Sequence, residues 1–228
     1  MEITIDLQRI LWHELGHFCI DLIDTKRDEN FSIDAFWVSY HKVAISDHKW
    51  GGGVKVIPSI KYEVLVEDID KTSFSILNVI SGCIFQTVFI KEIIKNEIST
   101  KDCFCPQGRC AGQQDFFTFH GITSKIRNRY GLSRELIYFS EIELFDIYYN
   151  LIIENKLFIE NISELITYYA NKIFKKYEQS DNKDEFFYYF NFDEIQLLRK
   201  EVYDILVITS FENTIEILKE KIKDKIIA

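Results

Sequence analysis

The stretch from Thr4 to Asp24 constrains this chain more than any other. Leu7, Ile10, Leu11, Phe18 and Leu22 recur there at helical spacing with no proline between them, which predicts a helix. Set into that pattern is Trp12-His13-Glu14-Leu15-Gly16-His17, an H-E-x-x-H arrangement. At about 100° per residue, His17 stands about 40° round the helix from His13 and one turn further on, so both imidazoles can meet one ion at about 2.0–2.1 Å. Glu14 stands about 60° beyond His17, within reach of a water on that ion without ligating it. The pattern implies a zinc ion held by His13 and His17, Glu14 as general base, and the hydrolytic chemistry of a metallopeptidase acting on a peptide or an exposed protein segment.

Two histidines leave such a site one protein ligand short, because a catalytic zinc has three and an open position. Asp21, one turn after His17, reads as a partner orienting an imidazole N–H or as a solvated residue. An extended metzincin motif needs Gly and His where Ile20 and Ile23 stand, and Met1 is the only methionine, so no Met-turn can form. A thermolysin-like site needs a Glu on a following helix, but only Asp28, Glu29 and Asp34 follow, ahead of an extended segment.

Downstream, Ala35 to Tyr40 and Val54 to Pro58 are rich in aromatic and β-branched residues and predict strands, with Gly51 to Gly53 as the turn before the second. That glycine run lacks the Lys-Ser/Thr of a phosphate cradle. Ser73 to Asn96 predicts a second long, buried helix. Its uncharged stretch, Phe74 to Ile90, is broken by Ser75, Asn78, Ser81, Gln86 and Thr87 and falls short of the roughly 20 apolar residues of a bilayer span. Residues 98–113 read as an irregular loop. Beyond it, helices are expected over Asp115–Tyr130, Arg134–Asn155, Ile162–Gln179 and Phe192–Ile227, the last broken near Ser210, with the polar run Gln179 to Glu185 joining two of them.

The fold expected is α+β and mainly helical: an H-E-x-x-H helix, a small sheet and a helical C-terminal half. It forms a single domain over 1–228, with a core at 1–130 and a helical extension at 131–228. Nineteen Phe and twelve Tyr against two Pro agree with a helix-rich aromatic core, and the net charge of −9 argues against a nucleic-acid partner. Met1-Glu2-Ile3-Thr4-Ile5-Asp6 lacks the basic start of a signal peptide, so the chain is expected in the cytoplasm, where its five cysteines stay reduced.

His13-Glu14-Leu15-Gly16-His17, His41-Lys42-Val43, the glycines at 51–53, Pro58, Gly82 and Asp115 follow one another in an order that resembles the peptidase domain of FtsH-type ATP-dependent zinc proteases. The resemblance covers roughly residues 5 to 130 and implies Asp115 as the third zinc ligand. No G-x-x-x-x-G-K-[ST] loop accompanies it, and Cys83, Phe85 and Gln86 stand where the family carries small and acidic residues. Against a ligand role, Asp115 reads as a helix N-cap. Glu92 is the alternative carboxylate, expected to face solvent beside Lys91 and Lys95. Cys103, Cys105 and Cys110 lack a standard zinc spacing, and Cys19 and Cys83 read as ordinary buried thiols. His41, His48 and His120 read as surface or satisfied histidines. The rival reading is a non-proteolytic metal-binding or regulatory protein derived from a peptidase scaffold, with its helical half as a partner surface.

Overall fold

A computed structural model describes residues 3–27, 32–41, 50–57, 68–98, 104, 112–131 and 134–227. The first helix, α1 (Ile3–Arg27), is apolar on nearly every side: Leu7, Ile10, Leu11, Trp12, Leu15, Phe18, Ile20, Leu22 and Ile23 are all buried. A helix that is hydrophobic all round belongs inside other elements, and α1 is enclosed. It packs on strands β1 (Ser32–His41) and β2 (Trp50–Ile57), on helix α2 (Ile69–Val88), and on α5 (Lys156–Glu178) and α6 (Phe192–Ile208) of the C-terminal half.

Helix α2 starts at Asp68, whose carboxylate accepts the backbone N–H groups of Asp70 and Lys71, and it runs on into a π-helical turn at Phe89–Ile93. By length and composition Asp70–Ile93 is apolar enough to cross a membrane, with a mean hydropathy of 1.7, but 83% of its apolar window is buried inside this molecule. It packs against α1 on one side and against α3 (Gln113–Tyr130), α4 (Arg134–Glu154) and α7 (Phe211–Ile227) on the others.

The sheet has three antiparallel strands in the order β2-β1-β3, the third being β3 (Glu185–Tyr189). This strand was not expected from the sequence, whose link runs from Gln179 to Glu185 and which assigns no element to residues 186–191; Glu185-Phe186-Phe187-Tyr188-Tyr189 alternates in exposure as a half-buried strand should. Because β3 pairs Trp37 with Tyr189 and Tyr40 with Phe186, a strand from the C-terminal half completes a sheet begun in the N-terminal half. The glycine run also departs from expectation. Gly51, Gly52 and Gly53 are not a turn but lie within β2, opposite Ser39, Val38 and Trp37. Close neighbours explain them: a Cβ on Gly53 would fall into the Trp37 ring, and one on Gly52 would stand 2.8 Å from Glu14 Cγ and 2.9 Å from the Trp37 carbonyl.

The later helices follow the sequence signals closely. Asn155 caps α5, accepting the Phe158 N–H at 3.1 Å, so that helix begins six residues before the expected Ile162. Asn191 and Glu194 form a capping box at the start of α6. The expected break near Ser210 falls between α6 and α7, where Ser210 takes a left-handed φ of 53°.

Candidate metal centre

Three donor atoms converge where α1, α2 and α3 meet. His13 Nε2 lies 3.1 Å from Asp115 Oδ2, His17 Nε2 lies 3.4 Å from the same oxygen, and the two imidazole nitrogens stand 3.2 Å apart. Ligands about 2.0–2.2 Å from a tetrahedral ion stand about 3.3 Å from each other, so this triangle has the edge length of one face of such a site. His13 is 2% exposed, and its Nδ1 is buried with no hydrogen-bond partner among the described residues. Buried polar atoms are rarely left so unless something else is meant to meet them.

Local structure sets each donor. His13 and His17 are one turn apart on α1, as their spacing requires. The Asn78 backbone carbonyl accepts a hydrogen bond from His17 Nδ1 at 2.8 Å, and a carbonyl can only accept, so Nδ1 keeps its proton and Nε2 is the nitrogen that gives one up to become a ligand. Asn78 is held in turn by Asp21, whose Oδ1 accepts from Asn78 Nδ2 at 2.6 Å. Asp21 thus supports the site through Asn78 rather than by touching an imidazole. Asp115 sits in the first turn of α3, where a carboxylate complements the helix dipole; the N-cap is Gly112, so the capping role weighed for Asp115 does not hold.

Two glycines make room for this arrangement. A Cβ on Gly16 would stand 2.6 Å from the Ser81 carbonyl oxygen, so α1 and α2 approach backbone to backbone only because that side chain is absent. A Cβ on Gly82 would fall onto His17 Nε2 and lie 2.7 Å from His13 Nε2. The space that glycine leaves is the floor of the site.

The electrostatics favour positive charge at the centre. Burial works against the charged imidazolium of His17, but Asp115 outweighs it, helped by Glu14 and Asp21, and the group is raised to about 10. Burial likewise opposes ionisation of Asp115, yet the facing imidazoles hold it well below the usual carboxylate range. Glu14, 5% exposed, is pushed up, chiefly by burial, while His13 and His17 pull the other way and Asp115 adds to the rise. Its side chain lies beneath Gly52, so β2 closes over it. That strand is tied down by Asp6, whose Oδ2 accepts the Trp50 N–H at 3.1 Å and whose Oδ1 pairs with buried Arg9 at 2.8 Å.

Cys83 belongs in this account and was not expected in it. Its ligand atom and those of His13 and Asp115 all lie within 4.8 Å of one another, a group that could hold a metal ion. The sequence carried a signal for it: Cys83 follows Gly82 and is one of the α2 positions at which the chain departs from the family it resembles. Asn78 was missed too, although it is a polar residue one turn before Gly82 on an apolar helix. Glu92 is not at the site; it is half-buried and accepts the Tyr149 hydroxyl at 2.5 Å instead of facing solvent. His41 packs on Phe187 and His120 on Phe116. Lys42, Val43, His48, Pro58, Cys103, Cys105 and Cys110 lie outside the described residues.

No family model, curated protein or solved structure matches this chain.

Proposed function

We propose that the protein is a zinc metallopeptidase of the H-E-x-x-H type, with His13, His17 and Asp115 holding the ion and Glu14 as general base. The observation that carries the reading is the triangle of His13, His17 and Asp115 donors over the cradle left by Gly82. A zinc ion there would polarise a peptide carbonyl and lower the pKa of a coordinated water toward about 7. Glu14 would take the proton of the attacking water on its carboxylate and pass it to the leaving amine; its raised affinity for protons, caused chiefly by burial, suits a group that must accept a proton and hold it until the amine leaves. The Asn78 carbonyl keeps His17 in the tautomer that ligation needs. The likeness to FtsH-type peptidase domains is part of the same proposal and rests on the positions of Gly16, Gly82 and Asp115 around the histidines.

The substrate class is an extended peptide or an unfolded protein segment. β1 is paired on both sides, so the Phe36–Tyr40 stretch offers no edge for such a segment; β2 is one of the two outer strands of the described sheet, and its Gly52 lies against Glu14. A peptide added to β2 would have its main chain beside the base. Cleavage of an unfolded protein but not of its native form is the outcome expected; equal cleavage of both would remove the edge-addition idea.

The test of the whole reading is metal content by elemental analysis, followed by peptide hydrolysis, on wild type, Asp115→Ala and Glu14→Gln. About one zinc per chain is expected in the wild type and in Glu14→Gln and much less in Asp115→Ala, with turnover in Glu14→Gln down by about 100-fold or more. A metal-free wild type, or a Glu14→Gln variant with full turnover, would sink it.

A further inference from the structure

We infer that Cys83 is a fourth protein ligand of this centre, a thiolate that occupies the position a substrate-activating water would need. The inference rests on the metal-binding part of the function proposed above but not on peptidase activity. Its basis is the placement of Cys83 on α2 beside the donors of the site. Cys83 follows Gly82, whose missing side chain leaves the space against His13 Nε2 and His17 Nε2, and its ligand atom falls within 4.8 Å of those of both His13 and Asp115. A further atom points to a ligand: His13 Nδ1 is buried with no hydrogen-bond partner among the described residues, on a residue that is itself part of the group.

The chemistry balances simply. On coordination the S–H bond breaks, a metal–sulfur bond forms, and the proton leaves to solvent. An ion held by two imidazoles, a carboxylate and a thiolate has four protein ligands and no open position, the coordination of a closed site; release of the thiolate returns it to three ligands and one vacancy. Thiolate ligation would also bias the site toward zinc and away from hard cations such as Mg²⁺ or Mn²⁺, which prefer oxygen donors.

Cobalt(II) reports sulfur directly. The full chain would be stripped with chelator, titrated with Co²⁺, and followed by absorption for a thiolate-to-cobalt charge-transfer band, with bound cobalt measured separately. The expected result is about one Co²⁺ per chain with the band in the wild type, and binding without the band, weakened about tenfold or more, in Cys83→Ala and Cys83→Ser. Two substitutions are used because Cys83 is fully buried and one of them can disturb folding; helix content by circular dichroism identifies which variants are folded. Stoichiometric Co²⁺ in the wild type with no charge-transfer band would overturn the inference and leave the metal centre standing. A band that survives in a folded Cys83 variant would assign the sulfur to another cysteine and overturn it as well. Absence of Co²⁺ binding in the wild type would bring down the metal centre itself, and this inference with it.

Discussion

The meeting of α1, α2 and β2 and the packing of α5, α6 and α7 are built by different rules. In the first region, close approach depends on side chains that are missing: Gly16 against the Ser81 carbonyl, Gly82 beneath the two imidazoles, Gly52 over Glu14. Its buried polar groups are incompletely satisfied: His13 Nδ1 and Trp50 Nε1 are buried with no hydrogen-bond partner among the described residues. In the second region, ordinary rules agree with one another. Asn155 caps α5 and also donates to the Thr209 carbonyl where α6 meets α7, Asn191 and Glu194 cap α6 reciprocally, and Phe158 stacks on Phe211 with ring centroids 3.9 Å apart. Local conflict concentrated in one place, amid consistency elsewhere, is the pattern expected where a chain gives up some stability for a site.

That contrast can be broken from either side. The largest effect is expected from Phe158→Ala. Phe158 is fully buried between Phe85 and Phe211, so its loss should lower stability by about 3–5 kcal/mol in a denaturant titration while metal stoichiometry in the folded protein stays unchanged. A variant that lost metal while remaining folded would show that the helical half holds the site and is more than scaffold.

Gly82→Ala is the converse. Alanine is the better helix former by about 1 kcal/mol, so the fold should hold, but the added methyl lands on His17 Nε2 and beside His13 Nε2. Metal affinity by competition with a chelator is expected to fall about 10–100-fold, the range seen when the support of a ligand is disturbed. Unchanged affinity would mean that the donors do not meet at that glycine.

The smallest effect separates Asp21 from a purely solvated role. Burial raises its carboxyl to about 7 against an unfolded value of 3.8, with Asp24 adding to the rise and His17 and the Asn78 hydrogen bond opposing it. Between those two values the folded protein keeps a proton the unfolded chain has released, so this residue's contribution to stability falls as pH rises from about 4 to 7. Asp21→Asn, which keeps an acceptor for Asn78, should therefore stabilise the chelator-treated protein at pH 8 by about 1 kcal/mol, discounted because Asp21 is only half-buried by surface, and change little at pH 4. An equal change at both pH values would show that no proton is involved.

Much of this molecule was legible in the chain itself. The periodicity of α1, the H-E-x-x-H spacing and the break at Ser210 are local properties, encoded within one or two turns of backbone, whereas the cap at Asn155 reads in the sequence as the end of the preceding helix. For the same reason His13, Glu14 and His17 could be placed on a single helix before any fold was known. Asp115 could be named only through a family resemblance, because 98 residues separate it from His17 and no local rule reaches that far. Tertiary structure alone decided the rest. A glycine run reads as a turn until Trp37 and Glu14 are seen packed on it, and Glu185 to Tyr189 becomes a strand only because β1 has an edge to offer it. Likewise Cys83 passes for core until α2 is laid against α1, because what a side chain means chemically depends on which atoms of other elements share its few ångströms of space.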